Sequence, residues 1–286
     1  MPLLEAHKLR KSYGGREVVK GVSFHVDRAE IIGLLGRNGA GKTTSFRMTI
    51  GMIEADDGRV VFDGSDVSEL PMFQRARLGM GYLSQEPSIF QRMTCRQNLL
   101  AILDTLPLSR RERRQRSSEL LDRFGLTHKS NDQARTCSGG ERRKLEIARA
   151  MVTEPRIVLL DEPFSGVDPI AVEDLQAEIK KLAETGIAVL ITDHNVQQTL
   201  RVCDRACIID DGSLFAVGTP RALINDERVR QVYLGSLFRG DEFDETYAPA
   251  PTRSHKRSTA ADIDMSSPGS QKPKPRTKTT RKASGS

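Results

Sequence analysis

The sequence has no tryptophan, and only 5% of its residues are aromatic, so it offers little material for a stacking platform that would hold a sugar. Long apolar runs are missing as well. The best candidate, Ile31 to Leu35, is short and bounded by Glu30 and Gly36, whereas a membrane-crossing helix needs about 18 consecutive apolar residues. The N-terminal Met-Pro-Leu-Leu-Glu has neither the basic start nor the apolar core of a secretory signal, and the chain is expected to stay in the cytoplasm. Cysteine is scarce. The four present (Cys95, Cys137, Cys203 and Cys207) form no CxxC, and no nearby histidine set completes a zinc site. Reduced, buried thiols are expected.

What remains is an ordinary globular mix of 286 residues, 37% hydrophobic and 29% charged, enough for one large domain or two small ones. The net charge of +6 is concentrated at one end. Residues 249–286 hold nine Lys or Arg against Asp262 and Asp264, a surplus of seven, which leaves residues 1–248 at one net negative charge. That end is rich in Pro, Ser, Thr, Lys and Arg and cannot bury enough surface to offset the entropy of ordering. The expected division is a folded domain over 1–240 and a disordered basic tail over 241–286. A second basic run, Arg110, Arg111, Arg113, Arg114 and Arg116, fits a solvated helix face. No nucleic-acid partner is expected.

Along the folded part, strands and helices alternate. Leu3–Ser12 and Glu17–Val26 flank Gly14-Gly15 as an antiparallel pair would. Ile31–Leu35 reads as a strand buried on both faces, followed by a helix from Lys42. Arg59–Phe62 and Met80–Leu83 are short strands. Thr94 with Gln97, and Ser109 with Glu112, have capping-box spacing. A helix over Gly140–Val152, a strand over Ile157–Leu160 and a helix from Pro169 come next. The strand Ile187–Thr192, the pair Ala206–Ile209 and Ser213–Val217, and closing helices near Tyr233 and Leu234 complete the pattern. This alternation indicates a largely parallel α/β sheet.

The sharpest motif is Gly36-Arg37-Asn38-Gly39-Ala40-Gly41-Lys42-Thr43, a GxxxxGK[ST] run between a buried strand and a helix. Glycines let successive N–H groups converge on phosphate oxygens at a helix N-terminus. Lys42 would reach the terminal phosphates, and the Thr43 hydroxyl would bind Mg²⁺. Downstream, Ile157-Val158-Leu159-Leu160 ends in Asp161 and Glu162. Asp161 would organise the metal, and Glu162 would orient or deprotonate an attacking water. A third run, Cys137-Ser138-Gly139-Gly140-Glu141, opens a helix with Leu145, Ala148, Met151 and Val152 on one face. Ser138 and Glu141 also have capping-box spacing.

That third run resembles the signature of ABC ATPases, usually LSGGQ, and the other marks of the family follow in order from about Leu4 to Leu234. The resemblance implies an ABC-type P-loop ATPase fold with an antiparallel β subdomain and a helical subdomain, about 86–153, that carries the signature. It implies ATP and Mg²⁺ as cofactors. Tyr13 would stack on adenine, Gly36 to Thr44 would hold the phosphates, and Gln85 would act in the glutamine loop as metal ligand and catalytic residue. Asp168 lies in Ser165-Gly166-Val167-Asp168, which looks like the D-loop, and His194 looks like the switch histidine. Ser138, Gly139, Gly140 and Glu141 would face the nucleotide of a second copy, giving a homodimer across two ATP sites beneath integral membrane subunits. Glu141 stands where most relatives have Gln, and its carboxylate is expected to fold back on the cap N–H.

Within the family, Tyr82 to Phe90, Asp161 to Ile170, Ile191 to Val196 and Val232-Tyr233-Leu234-Gly235 are similar to the ATPase subunits of lipopolysaccharide export transporters. This likeness implies work at the cytoplasmic face of the inner membrane, with the surface after Gln85, including Ile89 and Phe90, receiving the membrane subunits. Arg37, Ser84 and Cys137 depart from the expected Pro, Pro and Leu. The branched-chain amino acid importer ATPases share the layout. A non-transport regulatory ABC protein is the alternative from a different class.

Overall fold

The computed structural model describes residues 1–234. The basic tail expected over 241–286 lies outside the described residues, as does Gly235. Strands β1 (Leu4–Tyr13) and β2 (Arg16–Val26) pair antiparallel through Tyr13 and Arg16. The two residues between them, Gly14 and Gly15, have φ of 54° and 80°, the left-handed pair a tight hairpin turn requires. Strands β4 (Asp57–Phe62) and β5 (Ser65–Asp66) extend this sheet in the order β2-β1-β4-β5.

The second sheet has six strands in the order β10-β9-β3-β8-β7-β6. These are β3 (Ile31–Gly36), β6 (Met80–Leu83), β7 (Ile157–Asp161), β8 (Ala188–Thr192), β9 (Arg205–Asp210) and β10 (Ser213–Gly218). All neighbours pair parallel except β9 with β10. Strands β3, β7 and β8 are buried along their whole length. Successive side chains point to opposite faces, and the core divides accordingly. Ile32, Leu34, Ile157, Leu159 and Leu190 pack with Leu4, Phe24 and Phe46 towards the antiparallel sheet. Val158, Leu160, Val189 and Ile191 pack with Leu99, Phe124 and Leu145 towards the helices. Continuous apolar runs are what a sheet covered on both sides demands.

The helices are α1 (Lys42–Ile50), α2 (Met72–Arg77), α3 (Cys95–Leu103), α4 (Arg110–Arg123), α5 (Gly139–Ala150), α6 (Pro169–Glu184), α7 (Val196–Leu200) and α8 (Pro220–Asn225). All three anticipated capping boxes form, two of them at the starts of α3 and α4. Thr94 Oγ1 accepts from Gln97 N at 3.1 Å while Gln97 Oε1 accepts from Thr94 N at 2.8 Å, and Ser109 and Glu112 repeat the exchange. Each such cap stabilises its helix start by about 1 kcal/mol. Leu35, Ile208, Leu223 and Val229 form a third core on which the last described turn, Arg230–Leu234, closes. All four cysteines are buried free thiols.

Three details differ from the sequence reading. Helix α5 stops at Ala150, and Met151–Thr153 tighten into a 3₁₀ turn that still buries Met151 and Val152. Ile89 is not a surface residue; it is packed into the helix-side core, and only Phe90 is exposed. The short elements β5, α2 and α7 have too few residues for a periodic signal.

Candidate functional site

The end of β3 runs into the loop 37–41 and then α1. Gly36 has φ +152°, and a Cβ there would lie 2.2 Å from the Ile209 carbonyl oxygen, so no larger residue passes this corner. Helix α1 begins after Gly41 without a side-chain cap, whereas Thr94, Ser109, Ser138 and Asp168 each cap theirs. The first N–H groups of α1 therefore look outward for an acceptor, as an anion site requires. Lys42 is buried and curls back, donating from Nζ to Gly36 O at 2.7 Å and Arg37 O at 2.9 Å. Burial lowers its pKa from the ordinary lysine value, against the opposing pull of Glu162 and Asp193. Arg37, Asn38 and Gly39 form the exposed rim, Ala40 is buried beneath them, and Thr43 and Thr44 are half-buried on the first turn.

Three neighbouring strand ends supply the acids and their partners. Asp161 closes β7, is 2% exposed, and has its pKa raised by burial. Glu162 follows at φ +46°, a left-handed conformation that costs a non-glycine residue about 1–3 kcal/mol and clusters at functional sites. Its Oε2 accepts from Gln85 Nε2 at 2.9 Å and lies 3.2 Å from His194 Nδ1. Gln85 stands just beyond β6 and His194 just beyond β8, so the sheet order β8-β7-β6 brings the three together. Beside them Asp193, its pKa also raised by burial, accepts from Phe164 N at 3.0 Å and Asn195 N at 2.8 Å.

Buried carboxylates whose pKa values rise are the donors a cation would relieve. Among the described residues, no three His, Cys, Asp or Glu side chains form a self-sufficient metal cage. A buried carboxylate such as Asp161 offers the oxygen donor that Mg²⁺ takes, held through one or two protein oxygens together with substrate phosphates and water. Asp161, Thr43 and Gln85 suit that role.

Ser138 caps α5. Its Oγ accepts from Glu141 N at 3.2 Å, while Glu141 Oε2 accepts from Ser138 N at 2.8 Å. The carboxylate is thus folded back on the cap, and the Ser138 N–H leads in lowering its pKa. Gly139 is exposed. Gly140 lies so close to α6 that a Cβ would come within 2.8 Å of Ala171. Tyr13 is half-exposed, with the Lys11 ammonium 5.7 Å from its ring centre. Asp168 caps α6 by accepting from Ala171 N. Among the described residues Tyr13, Ser138 and Asp168 make no hydrogen bond to the Lys42–Glu162 group.

Two residues of this region escaped the sequence reading. Arg143, in a run of basic residues that looks exposed, is instead buried. It pairs with Glu146 at 2.8 Å and donates to the carbonyls of Ser84, Asp161, Glu162 and Pro163. It fastens α5 to the chain carrying Gln85 and Glu162. Tyr233 accepts from Gly36 N at 2.9 Å through its hydroxyl, which burial pushes up to about 12. Separated by 197 residues, that contact leaves no local signal.

The ABC transporter family model matches residues 19–165. Two relatives are the lipopolysaccharide export system ATP-binding proteins LptB of Haemophilus influenzae and of Escherichia coli K12. Each is 50% identical over 240 residues, covering 84% of this chain and 100% of the relative. Among solved structures, the ADP conformation of an ATP-binding cassette from an ABC transporter superposes with a TM-score of 0.74. It is 26% identical and covers 82% of this chain and 99% of its own.

Proposed function

Because the chain belongs to the ABC transporter family, as an ATP-binding and ATP-hydrolysing subunit, we propose that it powers lipopolysaccharide export from the inner membrane. The observation that carries the catalytic part is the single carboxylate oxygen of Glu162 held between Gln85 and His194. The relatives that are half identical along their whole length support the cargo.

In this reading the loop from Gly36 to Thr44 binds the phosphates, with Lys42 releasing its two carbonyl partners to meet the terminal ones. Tyr13 is exposed where it could stack on adenine. Mg²⁺, when bound through Thr43, Asp161 and Gln85, would neutralise charge developing on the phosphoryl oxygens. Glu162 orients the attacking water and takes its proton, and His194 holds the Glu162 carboxylate in position. The strained backbone at Glu162 fixes that geometry before nucleotide arrives.

Two copies close around two nucleotides, each Ser138–Glu141 corner facing the phosphates carried by the other copy, with Asp168 at the shared face. Gly140 N–H and the Ser138 hydroxyl, whose own proton is free while its oxygen accepts from Glu141 N, would be the donors. No helix among the described residues is long and apolar enough to cross a membrane, so membrane subunits would carry the path. Phe90 is 44% exposed under the Arg149 guanidinium, and Arg149 in turn lines a groove of about 230 Å³ with Met72, Tyr82 and Ile102. It suits an inserted element of those subunits, and in this reading the protein works at the cytoplasmic face of the inner membrane. The helical part is taken as about 86–153 of the described residues 1–234.

Phosphate release from the purified protein tests the catalytic part. Glu162→Gln should keep ATP binding while turnover falls by about 10²–10⁴; near-normal turnover would remove the water-activating role. Purification from membranes tests the cargo. Co-isolated subunits that extract lipopolysaccharide support the assignment, and an amino acid permease would replace it.

A further inference from the structure

Glu141 occupies the third position of α5, and its two carboxylate oxygens have different partners. Oε2 is taken by Ser138 N at 2.8 Å, and Oε1 lies 3.2 Å from His128 Nε2. His128 comes from a separate segment, the 3₁₀ turn Thr127–Lys129 between α4 and α5. An ionised carboxylate only accepts hydrogen bonds, so Nε2 carries the proton and donates. The Glu141 carboxyl is held below its ordinary range, first by the Ser138 N–H and further by His128 and Lys129, which keeps it in that accepting form.

A carboxylate at this position is a chemical liability. The N-terminus of α5 attracts anions of any kind, and a free Glu141 side chain would compete with an incoming phosphate for the same N–H groups and repel it. One bond to Ser138 N leaves the carboxylate able to pivot; a second from His128 removes that freedom. Other charges nearby are already engaged. Lys129 pairs with Asp132 at 3.1 Å, and Arg142 Nε donates to Ser138 O at 3.4 Å.

We propose that His128 is a positioning residue of the signature corner, whose Nε2–H pins Glu141 in the cap and keeps its charge out of the path of the opposing copy's triphosphate. This rests on the reading of the corner given above. The bond is a surface one, since His128 is 63% exposed and Glu141 24%, so its effect is modest. It acts on nucleotide engagement rather than on the chemical step.

The test is steady-state ATPase kinetics of the full chain. His128→Leu should raise KM for ATP about two- to fivefold, the scale of an exposed ion-pair or hydrogen bond, with kcat nearly unchanged. His128→Gln, whose amide donates from a similar reach, should restore most of the affinity. In the Glu141→Gln background, His128→Leu should add nothing. An unchanged KM in His128→Leu, or an equal rise in both backgrounds, would overturn the proposal. Ser138→Glu separates this from failure of the wider reading. If that variant turns over normally, the corner does not face phosphate at all; if it is inactive while His128→Leu matches wild type, only the role of His128 is lost.

Discussion

Replacing Arg143 by methionine should damage both stability and turnover, and the structure sets the size of each. The Arg143 and Glu146 side chains are only 8% and 4% exposed. Besides that pair, the guanidinium satisfies the carbonyls of Ser84, Asp161, Glu162 and Pro163. Arg143→Met leaves Glu146 as a buried charge whose remaining partner is the Ser88 N–H at 3.0 Å. Breaking a buried pair on one side costs about 3–5 kcal/mol. At about 2–4 °C per kcal/mol for a chain of this size, the melting temperature should fall by roughly 6–20 °C. Arg143→Met combined with Glu146→Met should recover much of the loss, because no unpaired charge remains. Arg143→Lys should fall between, keeping the charge without the planar fork. Since the same side chain ties α5 to the segments carrying Gln85 and Glu162, turnover should drop about ten- to a hundredfold in Arg143→Met, as for a small misplacement of reacting groups. Thermal unfolding without nucleotide and phosphate release with it measure the two effects. A melting temperature within about 2 °C of wild type would refute the reasoning.

Lys42→Ala removes the cation curled inside the phosphate loop, and nucleotide affinity should fall by about ten- to a hundredfold, the worth of a charged hydrogen bond, read by titration calorimetry. Tyr233→Phe strips the acceptor from Gly36 N–H and should cost about 1–3 kcal/mol in denaturant unfolding while leaving the phosphate loop's sequence untouched. Deleting residues 249–286, which hold nine Lys or Arg against two Asp, should leave ATPase activity intact; its loss would give that segment a role in the cycle.

The parts of this molecule that were legible in the sequence are those whose physics is local. Four apolar side chains around Gly33 at Ile31–Leu35 read as a strand covered on both faces, and Thr94-x-x-Gln97 marked a helix start because the cap is made within three residues. The phosphate loop and Asp161-Glu162 could be read for the same reason: each needs its strand immediately before it. The contact of Glu162 with Gln85 and His194 depended on strand order; the resemblance to a family named the residues but not their meeting. Arg143 went unnoticed because a basic run of Arg142-Arg143-Lys144 gives no hint that one member turns inward to four carbonyls. Tyr233 was invisible in its role because its partner, Gly36, lies at the other end of the chain. Ile89 was placed on the surface together with Phe90 by the family resemblance, yet Ile89 packs into the helix-side core while Phe90 stays exposed.

The account turns on a nucleotide shared between two copies. Trapping Glu162→Gln with ATP and Mg²⁺ and determining the structure of the assembly measures this directly. The account predicts the terminal phosphate gripped by Lys42 of one copy within hydrogen-bonding reach of the other copy's Ser138 hydroxyl and Gly140 N–H. A trapped, nucleotide-bound assembly in which that serine faces solvent, with the phosphate enclosed by a single chain, would contradict it.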